Sequence, residues 1–349
     1  MIEIWAPKWK TKEVLIAKYK VKDGMNKIIF TRVPSLKGKE FFVSSELIRR
    51  CVLKPKANGS IDCYMVPLEW VLEGEEKMRR EGLKEVCKWV RQETYEMCVG
   101  AGAGHIAPAF SCTEIFVALY HGGVMVHYPK EPKNSLRDRL VLSKGQGCAS
   151  LYAVLAHRGY FPAEDLRSYT QQGTYLGGHS ESNVPGVEAF TGSLGNGIGI
   201  AVGLAWAAKL KKEDWHTFCL MGDGELNEGS CWEAFMFAPH HKLDNLTVIV
   251  DKNEQQAVDF TADVLDLGSL ELKMKAFGFE VITLQDGHNL DVLIETFNKA
   301  KKAKNGKPKC VICETVKGKG ISYMERNPIW HYRAPTEGEE IAKGREELK

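Results

Sequence analysis

The sequence predicts an α/β protein: a mostly parallel sheet flanked by helices, with a small, mostly β domain at the N-terminus. Three observations lead there. From about Glu75 onward, helical patterns alternate with short strands, as in sheets built from crossover units. Residues 217–221 and 246–250 are unbroken apolar runs, the form of parallel strands buried on both faces. The first 72 residues instead alternate with period two between turn signals.

The head is read strand by strand. Residues 14–21 are β-rich and meet the turn signal Asp23-Gly24. Residues 27–33 end at Pro34, residues 39–43 form a third strand, and residues 61–66 a fourth after Asn58-Gly59. The head ends near Glu73-Gly74, so residues 1–74 form an accessory domain in which no motif carries chemistry. The body follows over 75–336. A helix over 75–98 places Leu83, Val86, Val90 and Met97 on one face and is closed by Gly100. Ser111-Cys-Thr-Glu114 has the form of a capping box opening 115–121, stopped by Gly122-Gly123. A short strand at 140–142, a helix at 148–157 ending at Gly159, and a Gly-rich helix over 196–210 come next. A helix at 228–240 joins the two apolar strands, and a helix at 290–304 joins strands at 280–284 and 309–314. The charged tail, 337–349, is expected as a surface helix.

Composition narrows the function classes. The chain has 349 residues, 44% hydrophobic and 26% charged, which excludes disordered and low-complexity classes. No apolar run is long enough to span a bilayer, so no membrane role is expected. The start has no basic-then-apolar signal architecture, and the 10 Cys follow no framework spacing, so a reduced, cytoplasmic location is expected. The net charge of +2 gives no global pull toward nucleic acid. That charge is uneven: residues 1–72 hold 14 Lys and Arg against 7 Asp and Glu. This basic head suits either solvent or an acidic partner.

The most specific signal is Gly222-Asp223-Gly224 at the end of one apolar strand and Asn253 just past the end of the next. A strand–helix–strand crossover returns the second strand parallel to the first, so both carboxyl ends lie on one sheet edge. Ligands of open parallel sheets bind at that edge. Asp223 and Asn253 should therefore converge as hard oxygen ligands for Mg2+ or Ca2+, with a backbone carbonyl near Gln255 as a third. Such an ion keeps positions open for phosphate oxygens, and Gly224 allows close backbone approach to a diphosphate.

This Gly-Asp-Gly plus Asn spacing resembles the motif of thiamine diphosphate enzymes. Further segments extend the likeness: Gly104-His105 before Ala107-Pro108, residues 137–145, Gly178-His179, residues 185–195, residues 222–229, residues 315–320, and Trp330-His331. From about Glu75 to Pro335 the chain resembles the N-terminal, diphosphate-binding half of a transketolase, most closely the split, two-chain kind. The resemblance implies the thiamine diphosphate-binding fold and the following roles. Asp223, Asn253 and the carbonyl of Gln255 would hold the metal. Gln146, Gly192, Ser193, Leu194, Gly224, Glu225, Asn253 and His331 would line the cofactor. His105, His179 and His331 would move protons at substrate oxygens. Glu228 would lie between two active sites at a dimer interface, and it also suits a helix N-terminus as an acid.

Three departures concern the substrate more than the cofactor. Gln146 stands where the family usually has His, and an amide donates hydrogen bonds without carrying charge. Ser180 replaces a usual Pro, and Glu254-Gln255-Gln256 replaces a small apolar turn. The domain carrying the family's catalytic Glu against the aminopyrimidine has no room before Lys349. The expectation is therefore a second polypeptide supplying it, in a hetero-oligomer. The implied reaction moves a two-carbon ketol unit from a ketose, or ketose phosphate, to an acceptor. Alternatives are transfer to a lipoyl or phosphopantetheine group on an acidic carrier protein in natural-product biosynthesis, a non-catalytic cofactor-binding scaffold, or a 2-oxo-acid dehydrogenase subunit. Other motifs weigh less. Ile200 and Val202 break a dinucleotide loop at Gly195–Gly203, whose glycines are read as allowing close helix packing. Cys310 and Cys313 fall on opposite faces of a strand, and His240-His241 ends a helix.

Overall fold

In a computed structural model, the backbone is described for residues 2–5, 15–22, 25–30, 40–44, 51–55, 61–65 and 68–349, and side chains from residue 80 onward. The chain divides into two compact units, Met1–Glu81 and Gly82–Lys349.

The first unit is built from antiparallel strands, as period-two patterning requires. Strands β1 (Ile2–Trp5), β2 (Leu15–Lys22), β3 (Met25–Phe30) and β4 (Glu40–Ser44) pair in that order. Strands β5 (Cys51–Pro55) and β6 (Ile61–Met65) pair separately. The sequence reading did not include β1 and β5. The expected turns at Asp23-Gly24 and Asn58-Gly59 lie outside the described residues.

The second unit is a five-stranded, wholly parallel sheet. Its strands are β7 (Arg139–Leu142), β8 (Thr217–Gly222), β9 (Leu246–Lys252), β10 (Glu280–Leu284) and β11 (Lys309–Glu314), in the spatial order β10-β11-β9-β8-β7. Alternate strand residues feed two hydrophobic layers. Leu140, Leu142, Phe218, Leu220, Ile249, Val311 and Cys313 belong to the larger layer. It is covered by α1 (Leu68–Ala101) through its residues from Leu83 onward, and by α2 (Ile106–Ser111), α3 (Thr113–Tyr120), α4 (Cys148–His157) and α9 (Leu290–Lys302). Val141, Cys219, Met221, Val248, Val250, Cys310 and Ile312 face the other way. There they meet α5 (Asn196–Lys211), α6 (Gly229–His240) and α8 (Leu270–Ala276). Cys310 and Cys313 thus separate onto opposite faces, as strand geometry demands. Helices α7 (Thr261–Leu265) and α10 (Gly338–Glu347) complete the set, and α10 docks through Tyr95, whose hydroxyl donates to the Glu340 carbonyl at 3.2 Å. Among the described residues no helix is long and apolar enough to cross a membrane.

Several differences from the sequence reading have physical causes. Helix α1 begins at Leu68, seven residues before the expected start. The expected capping box does not form: Cys112 is the N-cap of α3 and makes no side-chain cap bond. Ser111 and Glu114 are buried and turn instead to distant partners, Asp251 and Arg91. Helix α2 was hidden by Pro108, which a helix tolerates in its first turn. The glycines of α5 do not act alike. A Cβ at Gly197 would sit 2.6 Å from the Ser143 backbone, whereas at Gly199 and Gly203 nothing lies within 4 Å. Close packing is therefore enforced within the helix at Gly197 and at its N-cap Gly195, where a Cβ would lie 2.7 Å from that of Glu228. Gly197→Ala should lower stability by about 1–3 kcal/mol through overpacking. Gly199→Ala should raise it by up to about 1 kcal/mol through helix propensity. Urea denaturation of the two variants checks this, and equal effects would contradict it.

Candidate functional site

The crossover β8–α6–β9 places the carboxyl ends of β8 and β9 side by side, with Gly222 paired to Asp251. Here the chain leaves both strands in tight, irregular turns. After β8, Asp223 opens a 3-10 turn over Gly224–Asn227. After β9, Glu254 adopts a left-handed φ of 62° and presents Gln255, which forms an isolated bridge to Phe260. A cleft of about 150 Å³ lies at this edge. It is lined by Asp223, Gly224 and Glu225 from the first turn and by Asn253, Gln255 and Gln256 from the second. Gln146, Leu194, Lys144, Lys317 and His331 close it.

The acidic corner has the chemistry of a hard-cation site. Asp223 is buried, and that burial, reinforced by the nearby Asp251 charge, pushes its carboxyl up to about 6. Its Oδ2 accepts from the Glu254 N–H at 2.9 Å and the Thr261 hydroxyl at 3.1 Å. The Gln255 N–H donates to Asn253 Oδ1 at 3.1 Å, which draws the amide oxygen toward the turn. The Gln255 carbonyl accepts no hydrogen bond among the described residues, and both ends of its side-chain amide are buried without a partner. Among the described residues no group of three or more His, Cys, Asp and Glu could hold a metal. A cation here would therefore rest on one carboxylate, one amide oxygen and one carbonyl, which suits Mg2+ or Ca2+ with phosphate oxygens completing the shell. The residues fit a metal diphosphate.

Beneath the cleft lies a charge network that the sequence reading did not single out. Asp251 is fully buried and ion-paired to Lys144. It also accepts from the Ser111 hydroxyl at 2.5 Å, the Thr315 hydroxyl and, at 3.4 Å, the Asn253 amide. Lys144 Nζ donates in addition to the Pro108 carbonyl at 3.0 Å. Glu225 serves the backbone: it accepts from the Ser143 hydroxyl, from Gly195 N–H at 2.8 Å and from Gly222 N–H at 3.3 Å. It thereby fixes the entry to α5 against the β8 turn. The one legible sign of this network was a charge, Asp251, ending an otherwise apolar strand.

The three histidines gather. The His105 ring centroid lies 5.1 Å from that of His179 and 5.4 Å from that of His331, with Tyr332 against it at 4.5 Å. Burial, together with the neighbouring His331 and His179, pushes His105 down to about 3, and its Nδ1 is buried without a partner. Burial and the Lys317 charge hold His331 at about 4, and burial also lowers His179. Lys317 itself is pushed down to about 8 by burial and by Lys144. Its ammonium lies 2.9 Å from His331 Nδ1, so Nδ1 accepts and the ring proton sits on Nε2. The trio is thus neutral at pH 7, able to donate or accept without repelling one another.

The remaining expected residues sit elsewhere. His105 and His179 do not line the cleft; His105 packs between His179 and His331, and His331 lines it. Gly192 backs onto the His179 ring, where a Cβ would lie 3.1 Å from it. Ser193 is exposed, two residues before the Gly195 N-cap of α5. Glu228 is exposed at the N-cap of α6, outside the cleft, and makes no side-chain cap bond. His240 ends α6 and His241 caps it, its ring 4.0 Å from Phe237.

Below their ordinary value of 6.5, unfolded histidines take up protons that folded His105 and His331 refuse until about pH 4 or lower. Stability is therefore expected to fall as pH drops from 6.5 toward 4. Ring signals of both histidines in NMR should stay fixed between about pH 8 and pH 5. A ring titrating near 6.5 would contradict the packing described.

Comparison with known proteins adds the following. The family described as "Transketolase, thiamine diphosphate binding domain" matches residues 83–349. The chain is 41% identical over 246 residues to an apulose-4-phosphate transketolase subunit of Phocaeicola vulgatus, covering 70% of this chain and 86% of that one. It is 39% identical over 249 residues to a 6-deoxy-6-sulfo-D-fructose transketolase subunit of a Clostridium species, covering 71% and 90%. Human transketolase is 34% identical over 257 residues, covering 73% of this chain but only 40% of that one. Among solved structures, a Campylobacter jejuni transketolase superposes with a TM-score of 0.71 at 33% identity, covering 76% of this chain and 42% of that chain.

Proposed function

Because this chain belongs to the transketolase family, in its thiamine diphosphate-binding domain, we propose that it is the diphosphate-binding subunit of a two-component transketolase. It moves a two-carbon ketol unit from a ketose phosphate to an acceptor. The observation that carries this reading is the convergence of Asp223, Asn253 and the unpaired Gln255 carbonyl on one cleft, beside three neutral histidines. When bound there, thiamine diphosphate supplies a carbon nucleophile that takes up and releases the ketol unit.

The chain's own residues bind, orient and move protons. Asp223, Asn253 and the Gln255 carbonyl hold a divalent ion, Mg2+ or Ca2+. Gln146 donates to diphosphate oxygens, the Gly192–Ser193–Leu194 segment and Gly224 flank them, and buried Lys317 biases the cleft toward anions. His331 offers its Nε2–H, and His105 and His179 accept or donate at substrate hydroxyls as charge develops. The cleft is small for a whole ligand of this size, since sites that enclose one span roughly 300 Å³ or more. A second chain bringing the pyrimidine-side domain and its catalytic Glu would close the remainder. Exposed Glu228 is suited to that contact or to one with a second copy. The relatives named as subunits support a hetero-oligomer, and the ketoses in their names support a sugar as the ketol donor. The eight cysteines whose side chains are described are buried and unpaired, which suits a cytoplasmic location.

Titration calorimetry should show thiamine diphosphate binding that requires Mg2+ in the native chain. Asp223→Ala should abolish the metal-dependent part, because it removes the one charged ligand; native affinity in that variant would overturn the placement. Ketol transfer should appear only when the partner chain is added, and turnover by this chain alone would contradict the two-component reading.

A further inference from the structure

A second buried ionic chain lies outside the cleft and ends on the segment that carries Lys317. Arg91 of α1 grips Glu114 of α3 with both terminal nitrogens, at 2.7 Å each. Both side chains are nearly solvent-free. Burial alone would raise the Glu114 carboxyl, but Arg91 overcomes this and holds it at about 2. Glu114 Oε2 lies 2.8 Å from Nδ1 of His288, in the turn before α9. The Val316 N–H donates to His288 Nε2 at 2.9 Å, so Nε2 is the acceptor and Nδ1 carries the proton given to Glu114. Arg91 Nε also donates to the Lys319 carbonyl at 3.0 Å.

Lys317 stands between those two pinned positions. Its backbone is further held by Gly318 N–H donating to the Ala107 carbonyl at 3.0 Å. Gly318 has φ 80°, and a Cβ there would meet the Met324 carbonyl at 2.4 Å, so the segment has one tight path. From it the Lys317 ammonium crosses to the cleft, donating to the Gln256 carbonyl at 2.8 Å and to His331 Nδ1. A buried ion pair contributes little to net stability, because desolvation offsets its attraction. What this one supplies is direction: each bond aims the next.

We infer that Arg91, Glu114 and His288 are positioning residues that aim Lys317 at His331 and so set which ring nitrogen His331 presents to the substrate. The inference rests on the reading of the cleft given above. None of the three lines the cleft, so each acts through Lys317.

The test compares two variants of one residue in the full chain. His288→Gln keeps an acceptor at the position of Nε2 for the Val316 N–H. His288→Asn keeps the donor to Glu114 but not the reach to Val316. Long-range 1H–15N NMR of the histidine rings reads the His331 tautomer, and calorimetry reads thiamine diphosphate affinity with Mg2+. In His288→Gln, which keeps the Val316 bond but loses the one to Glu114, the change in tautomer pattern and affinity should be smaller than in His288→Asn. In His288→Asn the His331 pattern should change and affinity weaken by about tenfold, the usual scale for losing a supporting partner. If His288→Asn lowers Tm yet leaves the His331 pattern and the affinity native, the network is merely structural and the inference is overturned. If the native chain binds no thiamine diphosphate, the functional reading fails, while the His331 tautomer still decides the positioning claim.

Discussion

The site depends on one buried charge. Asp251 sits at the carboxyl end of β9 with no access to solvent, and a lone carboxylate there would be prohibitively costly. Its four donors come from four places: Lys144 after β7, Ser111 of α2, Thr315 after β11, and Asn253 after β9. Satisfying that one group therefore draws together the segments that form the cleft. It also turns Asn253 so that its amide nitrogen faces the network and its oxygen faces the Gln255 turn.

Electrostatics in the cleft follow from the same arrangement. Lys144 is neutralised by Asp251, whereas Asp223 at the end of the neighbouring strand makes no ion pair among the described residues and is raised by burial and by the Asp251 charge. The chain thus holds one ion pair below and, above it, one buried carboxylate held by hydrogen bonds alone. Pairs of titratable groups pushed apart by their surroundings mark functional sites. A divalent cation would complete the upper half as Lys144 completes the lower.

Much of this was legible in the sequence. Strands buried on both faces announce themselves as apolar runs, so β8, β9 and β11 fall at the expected residues to within two positions, and Cys310 and Cys313 separate onto two faces. Crossover geometry was enough to bring Asp223 and Asn253 to one edge. What sequence reasoning missed is what depends on partners far along the chain. Lys144 and Asp251 are 107 residues apart, and no periodicity links them. Ser111 and Glu114 have the spacing of a local cap, but burial gave both side chains stronger, distant partners. Ser193, expected at the cofactor, and Glu228, expected at an interface between active sites, are both exposed and lie outside the cleft.

The central claim is that Asp223, Asn253 and the Gln255 carbonyl hold an ion against a diphosphate. A crystal structure of the chain with thiamine diphosphate and Ca2+, the ion located by its anomalous signal, tests it most directly. The account predicts the ion within about 2.3–2.6 Å of those three oxygens, with diphosphate oxygens completing its shell. An ion bound elsewhere, or cofactor density away from the carboxyl edge of β8 and β9, would contradict it.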